Sequence, residues 1–148
     1  MKRLLNVNYN ETNLNIGLLI LRVLIGILMA FYGYQKLTHF NEMADDDFWK
    51  NNINFLGLGS NVSVGLTVFA EFFCSLFLLV GLFTRLSLIP LIFCMSYIVA
   101  IVDKMQFLNH GEHGYEFSTA FIYLVIYVVL IFTGPGKWSL DNFICNRK

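Results

Sequence analysis

The stretch Ile16–Leu37, IGLLILRVLIGILMAFYGYQKL, decides how this chain is read. As a helix it spans about 33 Å, enough to cross a bilayer, and its charges are Arg22 and, near the end, Lys36. Three more apolar stretches follow: Val62–Phe83, Leu86–Val102 and Phe117–Thr133, the last two near the short limit for spanning. Of 148 residues, 57% are hydrophobic and 14% charged, which excludes an average soluble domain. The segments between the stretches are too short to build a core of their own. The expected architecture is therefore an all-α integral membrane four-helix bundle, one transmembrane domain over residues 1–148. The first stretch follows Lys2 and Arg3, holds Arg22 and lacks a small-x-small cleavage pattern, so it reads as a retained helix.

Orientation follows from Lys and Arg placement. Lys2, Arg3, Arg85, Lys137, Arg147 and Lys148 fall on the side of the termini, against Lys36, Lys50 and Lys104 on the other, so both termini are expected in the cytoplasm. The turn at Thr84 and Arg85 is then cytoplasmic. Two longer loops face outward: Thr38–Asn61, with Asp45, Asp46 and Asp47 beside Phe48, Trp49, Phe55 and Leu56, and Asp103–Glu116, with His110, Glu112 and His113. The first is expected to be solvated, its aromatics resting on the membrane surface. The formal net charge of +0 gives no sign of nucleic-acid binding.

Charges inside spans are the most informative residues. A charge at the bilayer centre costs about 2.5–3.5 kcal/mol on insertion scales, so such groups pair inward or serve function. Arg22 and Glu71 lie on the first two antiparallel spans, about 9 Å apart in depth by helical rise, within the reach of an extended arginine. They are expected to form a structural ion pair.

Helical spacing sorts the remaining polar groups into faces. Arg22, Gly26, Met29, Ala30, Gly33 and Lys36 share one face of the first span, with small residues that permit close helix approach. Thr67, Glu71, Cys74 and Ser75 form a stripe on the second. Ser96, Ala100 and Asp103 form one on the third, and Glu116, Thr119, Tyr123 and Tyr127 one on the fourth. Their convergence in the outer half predicts a cleft bordered by Lys36, Glu71, Glu116 and Tyr123, against the bland alternative that these groups only satisfy neighbouring backbone.

Several chemistries find no support. Cys74, Cys94 and Cys145 contain no Cys-x-x-Cys pair, and three cysteines cannot complete a four-cysteine cluster. His39, His110 and His113 all sit in outer loops, so no pair of span histidines is set to hold a haem, and no metal site is expected. No phosphate loop or GxGxxG is present, and no covalently bound cofactor is expected.

An ordered set of motifs resembles the DoxX/DoxD-like family of small four-helix membrane proteins. It comprises Leu21-Arg22-Val23-Leu24-Ile25-Gly26 and Gly33-Tyr34-Gln35-Lys36-Leu37, then Ala70-Glu71 leading to Leu78-Leu79-Val80-Gly81-Leu82-Phe83-Thr84-Arg85, and finally Gly134-Pro135-Gly136-Lys137-Trp138-Ser139-Leu140-Asp141. The resemblance implies a bacterial or archaeal cytoplasmic membrane location. It also links the chain to relatives that form the small membrane subunit of a thiosulfate:quinone oxidoreductase, and to others associated with thiol and oxidative-stress proteins.

A quinone is the redox ligand that best suits the residues present, because it needs an apolar groove and a few polar groups for its ring. Glu71 and Glu116 are the expected proton-transfer carboxylates, with Lys36, Asp103 and Tyr123 as quinone-binding groups. The expected function is a membrane subunit of a quinone-linked redox system in the bacterial inner membrane, assembled with a partner subunit or as a homo-oligomer. The alternatives are a small proton-coupled transporter and a non-catalytic accessory protein of a larger complex.

Overall fold

The structure, a computed structural model, describes residues 10–53, 55–105, 108–111 and 114–145; the side chains of Asn52, Leu56 and residues 106–116 lie outside that description. Three helices are long and apolar enough to cross a membrane: Glu11–Thr38, Ser60–Val80 and Thr84–Val102. A fourth apolar helix, Thr119–Thr133, is shorter. The fold is thus a membrane helical bundle.

The first span is α1, Glu11–Thr38, capped by the Asn10 side chain, which accepts from the Thr12 amide at 3.0 Å. It starts at Glu11 rather than Ile16, because the cap and the acidic first turn allow a polar turn before the apolar run. Over its C-terminal end fold two short helices, α2 (Phe40–Asp45) and α3 (Asp47–Asn52), and a single 3₁₀ turn, Phe55–Gly57. Here the expectation of membrane-resting aromatics is corrected. Trp49, Ile53 and Phe55 are buried, with Phe55 packed 4.5 Å from the Tyr97 ring, so this loop is a lid on the bundle. Phe48 alone of those aromatics remains exposed among the described side chains.

The second span is composite: α4 (Ser60–Val68), a π-helical stretch Phe69–Cys74, and α5 (Ser75–Val80). It stops at Gly81, whose φ of 74° is left-handed and suits glycine. The third span is α6 (Thr84–Tyr97), continued by a second π-helical stretch, Ile98–Val102. An antiparallel hairpin, β1 (Leu108–Gly111) with β2 (Gly114–Phe117), leads to the fourth, α7 (Thr119–Thr133). The last helix is α8, Leu140–Cys145.

Two helix pairs make up the bundle. α1 packs along the second span and α7 along the third, while the α1 and α7 backbones approach each other at few points. Glycines set the first contact: a Cβ at Gly33 would lie 2.5 Å from the Phe72 amide nitrogen and 2.6 Å from the Glu71 carbonyl carbon. The buried faces follow the predicted stripes on the first two spans, but the third differs. Ala100 is exposed and Ser96 only partly covered, while Leu91, Cys94, Met95 and Val99 turn inward. Those inward positions keep helical spacing up to Val99, so the polar set Ser96, Ala100 and Asp103 marks a neighbouring face rather than the buried one.

Candidate functional site

Two buried charged centres occupy opposite ends of the bundle. At the end away from the C-terminal loop, Lys36 in the last turns of α1 meets Glu71 in the π-helical stretch. The Lys36 ammonium donates to both carboxylate oxygens at 2.6 Å, and the Glu71 side chain is only 2% exposed. π-helical turns commonly mark functional positions, and here the irregular turn presses against Gly33 and carries Glu71 on its buried side. Trp49 in the lid places its ring 5.8 Å from the same ammonium, a cation–π distance.

Beside this pair lies an open cavity of about 130 Å³. Lys36, Glu71 and Tyr123 contribute its polar groups, and Met29, Met95 and Ile98 form apolar wall. Tyr32 and Thr119 stand at its edge, and the Tyr32 and Tyr123 rings meet edge-on with centroids 6.4 Å apart. Three of the four expected border residues are therefore together. The Glu116 side chain lies outside the described residues, and Asp103 does not line the cavity. Asp103 instead accepts a hydrogen bond from Ser118 Oγ, joining the end of the third span to the start of α7. Tyr32 and Trp49 were missed by the sequence reading. Tyr32 sits on the flank of the α1 polar stripe rather than within it, and Trp49 looked like a membrane-surface residue.

At the opposite end, beside the C-terminal loop, the expected Arg22–Glu71 pair does not form. Glu71 belongs to Lys36, and Arg22 turns to the loop after α7, donating to the Pro135 carbonyl at 2.5 Å and the Trp138 carbonyl at 2.8 Å. Arg22 is 1% exposed, and Gly81 leaves room for it: a Cβ there would come within 2.8 Å of the guanidinium carbon. Asp141 completes the arrangement. Its carboxylate accepts from the Phe83 and Thr84 amides at 2.7 and 2.8 Å, capping the third span, while its own amide donates to the Gly81 carbonyl. Carbonyls as partners leave no side-chain signature, so spacing pointed to the wrong acceptor.

Among the described residues, no group of three or more His, Cys, Asp or Glu side chains is placed to hold a metal ion. Cys74 and Cys94 are buried free thiols, with Cys94 donating weakly to Thr67 at 3.9 Å.

These features define a small helical membrane protein with one locked and one open charged centre. The DoxX family model matches residues 17–104, more than half of the chain, and the protein belongs to the DoxX family. The chain is also 24% identical over 136 residues to an uncharacterized membrane protein of Mycobacterium tuberculosis, covering 86% of this chain and 80% of that one. No solved structure matches it.

Proposed function

We propose that this chain is the membrane subunit of a quinone-linked redox system in a bacterial cytoplasmic membrane, with both termini in the cytoplasm. The observation that carries this reading is the Lys36–Glu71 pair at the head of a cavity that is otherwise mostly apolar and open at its edge. A quinone ring fits such a site: apolar walls hold the ring, and a few polar groups fix its oxygens. In this reading Lys36 donates a hydrogen bond to one quinone oxygen, Tyr123 borders the ring, and Glu71 exchanges protons with it. Reduction to the quinol requires two electrons and two protons. The chain supplies proton-exchanging groups, with Glu116 a second carboxylate on the strand leading into α7. The electrons come from a partner subunit, whose donor is a sulfur compound or thiol.

Trp49 makes this testable by direct binding. In a Trp138→Phe background it is the sole tryptophan, close to Lys36, and a bound quinone should quench its fluorescence. Lys36→Met and Glu71→Gln should each weaken quinone binding at least about tenfold, near 1.4 kcal/mol. Unchanged affinity in both would remove the quinone from this site. Mild-detergent purification followed by stopped-flow quinol formation with the co-purifying protein then tests the redox step itself.

A further inference from the structure

The cavity beside Glu71 is too small for a whole membrane quinone. Its volume of about 130 Å³ resembles engineered cavities of about 150 Å³ that admit a single benzene, so there is room for a ring and none for an isoprenoid tail. The tail must leave the cavity, and the packing restricts where. Met29 and Met95, 2% and 3% exposed, close the inner side, whereas the α1 and α7 backbones approach each other at few points and Tyr32 and Tyr123 meet across that seam.

Outside the seam the surface of α1 is concave. A trough of about 410 Å³ is lined by Ile27, Leu28, Phe31, Tyr32 and Gln35, so it shares Tyr32 with the cavity and extends along α1 back to Ile27. A second apolar groove of about 320 Å³, between the second and third spans at Phe69, Phe77 and Pro90, shares no lining residue with the cavity.

The geometry points to the α1–α7 seam as the portal of the site and to the α1 trough as the track for the ligand's hydrocarbon tail, with Tyr32 as the residue around which head and tail bend. This inference rests on the quinone reading and adds the tail subsite to it. Lipid tails are as apolar as the trough, so the tail is held by contact with a concave surface rather than by escape from water. The ligand class is accordingly a quinone with a flexible prenyl chain, its ring at Lys36 and Glu71 and its first tail units against Phe31 and Leu28.

The test uses the full chain in lipid nanodiscs and a prenylated benzoquinone bearing a diazirine on its first tail unit. After illumination, peptide mapping should place the label on Ile27, Leu28, Phe31 or Tyr32, and an excess of unlabelled prenylquinone should suppress that labelling at least fivefold. Competable label on Ile98 or Ala120 of the cavity wall instead would overturn the tail track and leave the quinone reading standing, whereas competable label on the Phe69–Pro90 groove would take the ring away from Lys36 and Glu71 and overturn both. Labelling that no competitor suppresses, at any position, would remove both.

Discussion

The two ends of this bundle bury charge in opposite ways. At the end beside the C-terminal loop Arg22 is enclosed by backbone: two loop carbonyls accept from it, and Gly81 presses against its guanidinium. At the lid end Lys36 and Glu71 satisfy each other, yet a cavity remains beside them, with Tyr32 and Tyr123 meeting at its edge. A charge held by fixed carbonyls in a closed shell is a structural lock. A side-chain pair beside open space can exchange its partner for a ligand, and that difference separates architecture from candidate chemistry within one small fold.

The contrast breaks most readily at the lock. Arg22→Met removes two hydrogen bonds from a charged donor, each about 1.5–3 kcal/mol, so it should destabilise the protein by about 3–6 kcal/mol in a detergent-unfolding series. Glu71→Gln should lose quinone binding with a smaller stability loss than Arg22→Met. Equal stability losses from these two substitutions would erase the distinction between the ends.

The Lys36–Glu71 pair should show strong coupling. Lys36→Met leaves Glu71 buried without its partner and should cost about 3–5 kcal/mol, while adding Glu71→Gln should recover much of that loss. The corresponding cycle of Arg22→Met with Glu71→Gln should be additive within about 0.5 kcal/mol, because the two residues share no partner. A large coupling there would restore the pair that the sequence suggested.

Close packing behind Glu71 sets a smaller effect. Gly33→Ala forces a methyl into the Phe72 and Glu71 backbone and should cost about 1–3 kcal/mol, and the shifted π-helical turn should weaken quinone-dependent quenching of Trp49 as well. Loss of stability with unchanged quenching would show that the exact position of that turn is irrelevant to binding. Smallest of all, Asp141→Ala removes a cap of the third span and should cost about 0.5–2 kcal/mol, read as a modest fall in unfolding temperature. It should leave quinone binding at the far end unchanged.

Much of this was legible in the sequence because membrane helices announce themselves by length and by the spacing of their polar residues. Lys36, Glu71 and Tyr123 fell on inward faces by simple periodicity, and the structure brings all three to one cavity. Asp103 falls outside the cavity because its carboxylate is taken by Ser118 Oγ at the start of α7, a contact between spans that helical periodicity does not reveal. Arg22 was assigned the wrong partner because a carbonyl acceptor has no sequence signal, least of all one 113 residues away. Trp49 and Phe55 were misread because an acidic, aromatic segment suggests a membrane surface as readily as a lid, and only tertiary packing distinguishes the two.

The Arg22 lock also has a consequence for synthesis. Its acceptors, Pro135 and Trp138, lie 113 and 116 residues later in the chain. At ribosomal rates of about 5–20 residues per second, the first span waits on the order of ten seconds after insertion before the loop that receives its cation has been made. During that interval the guanidinium must be served by water, lipid phosphate or the insertion machinery. A nascent chain ending before Pro135 would thus carry an exposed cue for membrane quality control, which only a completed C-terminal loop conceals.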